Sequence, residues 1–390
     1  MIEKIRDTVS NQFRNRFNTK PVLVRSPGRV NLIGEHTDYN EGFVLPTAID
    51  KAIIFAASPN KGHLYRIYAA DMDEYREVKQ GSLKKSRTQW ANYLLGVVDQ
   101  IKKMGFEVPG FDCVFGGDIP IGAGLSSSAA IEAGLAFCIN EMFQLNIDKL
   151  DLVKLSQKAE NEFVGVQCGI MDQFANIFGA PEKVMKLDCR SLEYEYLPFD
   201  FKGIHIVLYD TRVSHSLASS EYNIRRAQCE KGVSYLKNHN PRIQSLRDVA
   251  SGFLESFKDQ IDPVIYKRCH YVVKENERLL AACDDLKNKD LESFGKKMVQ
   301  THEGLKSEYE VSCTELDFLV EHTLEEKAVF GSRMMGGGFG GCTINLIKED
   351  AMDEVNQRVK KAYLSEFGKE PEIYKIKIEK GTHIINLNYS

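Results

Sequence analysis

Long hydrophobic runs are missing from this sequence, and so is a surplus of charge of either sign. No stretch of 18 uninterrupted apolar residues occurs, so a membrane-spanning helix is not expected. The first seven residues mix apolar and charged side chains and lack the apolar core of a secretory signal. Lysine and arginine total 51 against 55 aspartate and glutamate residues, which gives a net charge of −4. Nucleic acids and membranes are therefore not expected as partners, because proteins that bind them favour a basic surplus or stripe.

Paired cysteines are also missing. All nine cysteines stand singly, no Cys-x-x-Cys occurs, and the nine histidines do not cluster. A disulfide framework and a zinc site are therefore not expected, since both need closely spaced ligands or partners. The pattern is typical of reduced thiols, and a cytoplasmic protein is expected.

Internal repeats, low-complexity runs and linker-like tracts do not occur, which indicates a globular chain throughout. With 390 residues the chain is too long for one ordinary core, so two domains are predicted. The mixture of strand and helix patterns predicts an α+β fold. We place the boundary just before the apolar strand pattern at 204–209, which gives domains over residues 1–200 and 201–390.

Hydrophobic periodicity predicts most of the regular elements. Helices are predicted over residues 2–17, 90–104, 127–143, 150–163, 217–239, 264–286, 291–303, 314–325 and 350–367. Strands are predicted over 22–24, 43–45, 52–57, 64–68, 111–115, 204–209, 343–347, 373–378 and 384–387. The segment Ser26-Pro27-Gly28 is expected to break the first strand, and Pro46 is expected to separate two later ones.

A glycine- and serine-rich stretch at residues 116–130 is a candidate anion site, because it lies between a predicted strand and a predicted helix. Gly122 and Gly124 permit a sharp turn that brings backbone N–H groups against a ligand. The helix N-terminus adds unpaired N–H groups and its dipole. Three consecutive hydroxyls, those of Ser126, Ser127 and Ser128, can bind phosphate oxygens or Mg²⁺. The stretch matches neither a Walker A loop nor G-x-G-x-x-G, so a turn with a serine N-cap is an open alternative on these residues alone.

Charged side chains are unusually dense between residues 28 and 40. Arg29, Glu35, His36 and Asp38 lie within ten residues, among glycines. Such groups are costly to bury, so a purely structural loop rarely concentrates them, although a solvated loop with its charges in water is an alternative. Paired carboxylate acceptors suit a polyol, because a sugar presents several hydroxyl donors.

Two further segments combine glycine with functional side chains. In residues 165–174, two glycines precede a helix predicted from near Ile170, with Asp172 in its first turn. The helix dipole alone favours an acidic residue there, so a structural role for Asp172 is an alternative. Residues 336–341 hold five glycines in six positions, a density usually explained by the close approach of a ligand or of another backbone.

These four segments, in this order, resemble the GHMP kinase superfamily and, within it, the galactokinase family. The resemblance covers nearly the whole chain. Residues 28–40 resemble the galactokinase signature at every position, and residues 120–128 resemble the superfamily phosphate loop. Residues 168–173 and 336–342 also resemble galactokinase segments. The resemblance implies two domains of mixed sheets and helices, with the active site in the cleft between them.

The resemblance also implies a role for each candidate residue. Asp172 and Arg29 would be catalytic, with Asp172 beside the C1 hydroxyl of the sugar as a base or orienting group. The sugar would be held by Glu35, His36, Asp38, the Gly169 backbone and Tyr222. The phosphates of ATP would be wrapped by Gly122, Ala123, Gly124, Leu125, Ser126, Ser127 and Ser128, with Trp90 beside the adenine. A Mg²⁺ ion would be held by Ser127 and Glu160. Core packing is the alternative for Trp90.

The activity implied by the resemblance is ATP-dependent phosphorylation of α-D-galactose at the C1 hydroxyl. Galactose and ATP would be the ligands, with Mg²⁺ as the metal. Two alternatives are an N-acetylgalactosamine kinase, whose pocket motif is similar, and a non-catalytic sensor of galactose and ATP. The intact serines at 126–128 and Asp172 disfavour the sensor. One departure is Ser214, which stands where galactokinases often carry a basic residue. If that residue helps to tune the base in relatives, Arg29 would tune Asp172 alone here.

Overall fold

The computed structural model describes residues 2–213 and 218–385 of the chain. The helices in this part of the chain are α1 (Ile2–Phe17), α2 (Gln89–Lys103), α3 (Ser127–Phe143), α4 (Lys149–Lys158), α5 (Met171–Phe178), α6 (Ala218–His239), α7 (Ser251–Glu255), α8 (Pro263–Lys287), α9 (Leu291–Ser307), α10 (Thr314–Leu324) and α11 (Met352–Phe367). The strands are β1 (Val22–Asn31), β2 (Phe43–Val44), β3 (Pro46–Pro59), β4 (Leu64–Ala69), β5 (Glu74–Lys79), β6 (Phe111–Gly117), β7 (Lys183–Asp188), β8 (Tyr194–Pro198), β9 (Ile204–Asp210), β10 (Val329–Met334), β11 (Cys342–Lys348), β12 (Glu372–Ile376) and β13 (His383–Ile384).

A six-stranded sheet organises the first half of the chain, in the order β13-β1-β3-β6-β4-β5. All its pairings are antiparallel except β4 with β6, which is parallel. Both faces of β3 are buried: Ile54 and Ala56 pack with Phe13 of α1, whereas Phe55 and Ala57 lie in the main core. Alternate residues of a strand point to opposite faces, so a strand covered on both sides is apolar at nearly every position.

A four-stranded antiparallel sheet in the order β10-β11-β9-β12 organises the second half. One face packs on α10 and α11 through Val207 and Tyr209 of β9. The other face contributes Ile206 and Leu208 to the main core, together with Phe294 of α9. A three-stranded sheet, β2-β7-β8, completes the fold. Within the described residues, no helix has the length and apolarity that a membrane span needs.

The predicted α+β class is confirmed, and so are the helix predicted from the apolar residues between Ile2 and Phe17 and the one predicted from Ser127 to about Phe143. The predicted break at Ser26-Pro27-Gly28 is wrong, because β1 continues to Asn31 through a bulge between Pro27 and Arg29. Pro46 opens β3, where a missing N–H is tolerated. The helix predicted to Phe163 ends at Lys158 and continues as one π-helical turn to Val164.

Four strands were not predicted, namely β5, β7, β8 and β10. The last described strand, β13, pairs with β1 through Val24 and Ile384, so the end of the chain returns to the first sheet. The predicted domain boundary near residue 200 stays a prediction. Ser214 and the end of the strand predicted over 384–387 lie outside the described residues.

Candidate active site

Arg29 and Asp172 form the centre of the candidate site. Arg29 follows the bulge in β1, and its Nε and Nη2 donate to Asp172 Oδ1 and Oδ2 at 2.8 and 3.0 Å. This two-pronged geometry matches the guanidinium fork to the carboxylate, and it is the strong form of such a pair. The third nitrogen, Nη1, donates to the Gly124 carbonyl at 2.6 Å. Arg29 therefore joins β1, α5 and the loop before α3 at one point.

Ser126 contacts the same carboxylate. Its Oγ donates to Asp172 Oδ2 at 2.5 Å, and its backbone is left-handed, with φ of 59°. Ser126 is the N-cap residue of α3, but its hydroxyl makes no capping bond. The simple reading of these serines as a helix cap is therefore wrong for Ser126, whose hydroxyl serves Asp172. A left-handed non-glycine residue is a strained conformation of the kind that concentrates at functional sites.

A cavity of about 250 Å³ lies beside this pair, and we call it the small cavity. Its walls are Arg29, Glu35, His36, Asp38, Glu160, Val166, Cys168, Gly169, Met171, Asp172, Tyr222, Gly336 and Gly337. All the residues predicted to be catalytic or to bind the sugar line it. Carboxylates, an imidazole, a phenol and a guanidinium thus surround one space, which suits a small ligand with many hydroxyl groups.

Asp38 lies directly against Gly169 in the small cavity. A Cβ atom at Gly169 would stand 1.9 Å from Asp38 Oδ2. Burial raises the pKa of Asp38 to about 7, and the negative charge of Asp172 adds to the effect. Gly169 is therefore the residue that makes room for the Asp38 carboxylate.

His36 is buried and presents one nitrogen without a partner. Its Nδ1 lies 2.8 Å from the Tyr39 hydroxyl, whereas Nε2 has no hydrogen-bond partner in the described part of the chain. Burial lowers the pKa of His36 to about 4, so the imidazole is neutral near neutral pH. The ring of Tyr222 lies 5.5 Å from that of His36. A ligand oxygen in the small cavity would satisfy the free nitrogen.

Glu35 is held by a residue that the sequence did not single out. Arg333 of β10 is fully buried and contacts Glu35 Oε1 with both terminal nitrogens. The only signal in the sequence was a single positive charge in a mainly apolar stretch just before the glycines at 336–341. Nothing in that pattern indicates a partner near residue 35.

Glu160 belongs to a second buried group that the sequence did not reveal. Gln173 Nε2 donates to Glu160 Oε2 at 2.9 Å and to Glu132 Oε2 at 3.3 Å. Burial raises the pKa of both carboxyls. The charge of Glu160 further raises the pKa of Glu132, and the charge of Asp172 further raises the pKa of Glu160. Glu132 is one of two charged residues in the mainly apolar helix α3, and its place among apolar residues was the available signal.

A cavity of about 660 Å³, which we call the large cavity, lies on the far side of the loop before α3. Ser127, Ser128 and Trp90 line it, along with apolar residues that include Ile131. Trp90 is almost buried, and its Nε1 donates to Glu74 Oε2 at 2.9 Å. The indole therefore forms a fixed wall of this cavity.

A third space of about 300 Å³, the loop cavity, lies next to the other two. It shares Arg29 and Asp172 with the small cavity and Ser127 and Ser128 with the large one. Most of the predicted phosphate-binding residues line it, but Ala123 does not, because its side chain is packed in the core. Only the backbone of Ala123 is left to bind a ligand. The loop cavity is therefore adjacent to both other cavities, and Asp172 lines its border with the small one.

Family models match three parts of the chain. The galactokinase galactose-binding signature matches residues 11–59, the GHMP kinases N terminal domain residues 92–180, and the GHMP kinases C terminal domain residues 282–365. A galactokinase of Thermosipho africanus is 41% identical over 358 residues, covering 92% of this chain and 98% of the relative. One of Clostridium acetobutylicum is 41% identical over 389 residues, covering 98% of each.

Solved structures of GHMP kinases are also similar to this chain. The crystal structure of Lactococcus lactis galactokinase complexed with galactose superposes with a TM-score of 0.94 at 33% identity, covering 98% of this chain and 100% of that one. The mevalonate kinase of Methanococcus jannaschii has a TM-score of 0.63 at 19% identity, covering 93% and 100% of the two chains. The second likeness concerns the fold alone.

Proposed function

This chain belongs to the galactokinase family of the GHMP kinases, and on that basis we propose that it transfers the γ-phosphoryl group of ATP to the C1 hydroxyl of galactose. The products are galactose 1-phosphate and ADP. The observation that carries the proposal is the wall that two cavities share, because Arg29 and Asp172 line both the small cavity and the loop cavity. A sugar in the first and a phosphate chain in the second would meet at this pair.

The small cavity holds the sugar. Asp38 and Glu35 accept hydrogen bonds from sugar hydroxyls, and the free Nε2 of His36 and the Tyr222 side chain complete the wall. The Gly169 backbone lies beside Asp38 and fixes the edge of the cavity. Several polar groups that converge on one small ligand give strong discrimination, because a sugar lacking a hydroxyl leaves a buried acceptor unpaired.

Asp172 orients the C1 hydroxyl and receives its proton. A carboxylate has about four acceptor positions. Arg29 fills two of them and Ser126 a third. About one position is left, and we assign it to the sugar hydroxyl. Arg29 then lies next to both the attacking oxygen and the incoming phosphoryl group, where its charge offsets the negative charge that is transferred.

The nucleotide occupies the large and loop cavities. Trp90 flanks the base in the large cavity, and the backbone from Gly122 to Ser128 follows the phosphates. The N-terminus of α3 faces the same space with unpaired N–H groups. Phosphoryl transfer asks chiefly for positioning and charge neutralisation, and this loop supplies both.

A Mg²⁺ ion fits the donor set. In the described residues, no three acidic, histidine or cysteine side chains are grouped to hold a metal. Mg²⁺ does not need such a group, because it keeps several waters and is held by one or two side-chain oxygens together with the substrate phosphates. Ser127 and Glu160 would hold it, and the bound ion would neutralise phosphate charge. Burial raises the pKa of Glu160, and a hydrogen bond from Ser128 opposes that shift.

The test is the release of ADP from Mg-ATP with galactose, N-acetylgalactosamine, glucose, mevalonate and homoserine in parallel. Turnover with galactose well above the others is the expected result. Preference for N-acetylgalactosamine would keep the kinase but overturn the assignment of the sugar. Binding of galactose without turnover by any of the five would support the sensor and refute the enzyme.

A further inference from the structure

Arg333 is a fully buried arginine, and one of the residues that it contacts, Glu35, lines the small cavity. Its Nε donates to the Leu32 carbonyl at 2.9 Å, and Nη1 donates to the Met334 carbonyl at 2.6 Å. Nη2 donates to the Asn31 carbonyl. Both Nη atoms also reach Glu35 Oε1, at 3.2 and 3.1 Å. Through Arg333, strand β10 of the second sheet thus binds the end of β1 and the loop that follows it.

The Glu35 carboxylate has few acceptor positions left for a ligand. Arg333 and the backbone N–H of Gly336, at 2.8 Å, occupy Oε1. The Asn31 amide donates to Oε2 at 2.9 Å. Each carboxylate oxygen offers about two acceptor positions, so the three donors on Oε1 fill it and the Asn31 amide leaves about one position on Oε2. Glu35 is also acceptor-only: burial would raise its pKa, but the charges of Arg333 and Arg29 outweigh burial and lower it.

We propose that Arg333 is a positioning residue for sugar recognition, which locks Oε1 of Glu35 so that Glu35 accepts a hydrogen bond from a single galactose hydroxyl through Oε2. This inference rests on the proposed function, since it names how the proposed sugar site discriminates. It refines the expectation drawn from the sequence, in which Glu35 and Asp38 were paired acceptors for sugar hydroxyls.

The chemistry of arginine explains why this residue performs the task. Its planar fork supplies five N–H donors in a fixed geometry, and Arg333 uses them on three carbonyls and one carboxylate. A lysine would bring the same charge with fewer and less directional donors. Removing the arginine would leave Glu35 buried without the charge beside it and held only by Gly336 and Asn31, so Oε1 would be less firmly fixed.

Glu35 is also connected to the loop cavity, where the phosphates would bind. Gly336, which donates to Glu35, lines both the small cavity and the loop cavity. A Cβ atom on it would lie 3.6 Å from the Cα of Gly124. Glu35 is therefore fixed relative to the loop that would hold the phosphates, so its displacement moves the sugar relative to the phosphoryl donor.

The test uses galactose and its 2-, 3-, 4- and 6-deoxy forms with the wild type, Glu35→Gln and Arg333→Met. In Glu35→Gln the amide oxygen stays on Arg333 and the NH₂ group takes the place of Oε2, which removes the free acceptor. In the wild type we expect one deoxysugar to lose about 10- to 100-fold in kcat/KM through Glu35, a loss that Glu35→Gln abolishes for that sugar alone. Arg333→Met should raise the galactose KM by a similar factor, leave the ATP KM within about twofold, and abolish the single-hydroxyl coupling.

Arg268→Met is the matched control. Arg268 is also buried and bonded to a carboxylate, Glu310 Oε2 at 2.6 Å, but it lines none of the three cavities. It should lower thermal stability without changing the galactose KM. The inference is overturned if Glu35→Gln abolishes the loss in kcat/KM for two or more deoxysugars. It is also overturned if Arg268→Met shifts the galactose KM as much as Arg333→Met.

Two further measurements keep the inference testable. If Arg333→Met does not fold, Arg333→Lys replaces it and should show a smaller rise in the galactose KM. The wild type and Glu35→Gln also test the single-hydroxyl statement by themselves. A failure of the proposed function looks different, because the wild type would then release no ADP with galactose at all.

Discussion

Replacing Gly169 by alanine tests the geometry of the sugar site most directly. The new Cβ would lie 1.9 Å from Asp38 Oδ2, 2.3 Å from its Cγ and 2.8 Å from its Cβ. Ordinary contacts of this kind begin near 3.4 Å, so the carboxylate must move by at least about 1.5 Å. Gly169 is not among the residues with positive φ, so backbone strain is not the cause of the effect.

The displacement is large enough to break a hydrogen bond, because a donor–acceptor distance near 2.8 Å would open beyond 3.5 Å. The loss of one hydrogen bond to a charged group costs about 1.5–3 kcal/mol. We therefore expect Gly169→Ala to raise the galactose KM by about 10- to 150-fold. The ATP KM should stay within about twofold, since Gly169 does not line the large or loop cavity.

A double-mutant cycle separates this cause from general damage to the site. With Asp38→Gly already in place, the added methyl group at position 169 meets neither the carboxylate nor the Cβ atom of residue 38, so it should cost less than about threefold. Gly337→Ala is the control, because Gly337 lines the same cavity and its new Cβ would meet only Tyr222 Cδ2, at an ordinary 3.8 Å. The assay is steady-state release of ADP with isothermal titration of galactose. Equal losses with and without Asp38, or a normal KM in Gly169→Ala, would refute the reasoning.

Four other outcomes are expected. Asp172→Asn should lower kcat by about 10²- to 10⁴-fold while nucleotide titration shows unchanged ATP affinity; near-normal turnover would contradict its assignment. Burial and the charge of Asp172 raise the pKa of Asp38 to about 7, so galactose affinity should fall as the pH drops through about 7, and calorimetry should show no such fall in Asp38→Asn. For the same reason the ionised Asp38 reduces stability as the pH rises from about 4 to about 7, and thermal melts should show Asp38→Asn more stabilising at pH 8 than at pH 5. Trp90 is the single tryptophan, so its fluorescence should respond to ATP and not to galactose alone.

The sequence was most informative where a function depends on a local run of residues. Helix α3 was predicted with its correct bounds because a glycine loop and serines precede it and its apolar residues recur with helical spacing. Residues 28–40 were identified because buried charge is costly, and the structure places Arg29, Glu35, His36 and Asp38 in one cavity. In each case the signal and the physical reason for it lie within about fifteen residues.

The sequence was least informative where the reason lies far along the chain. Arg333 contacts Glu35 across 298 positions, and no local pattern encodes that separation. β5 was missed because its residues alternate between exposed and half-buried, with few apolar side chains to mark one face. Pro27 was misread because a proline inside a strand usually ends it, whereas here a bulge accommodates it and aims Arg29 at Asp172.

Glu35 and Asp38 show why a motif identifies a site more readily than it assigns roles within it. They lie three residues apart in one loop, and the sequence treats them as two similar acceptors. Their pKa values nevertheless move in opposite directions, because Arg333 stabilises the charge on Glu35 whereas burial and the charge of Asp172 oppose the charge on Asp38. Glu35 is therefore a fixed acceptor whose recognition of the sugar should not vary near neutral pH, and Asp38 is the acceptor whose recognition should. The pH dependence of sugar binding thus separates the two carboxylates, which the sequence alone cannot do.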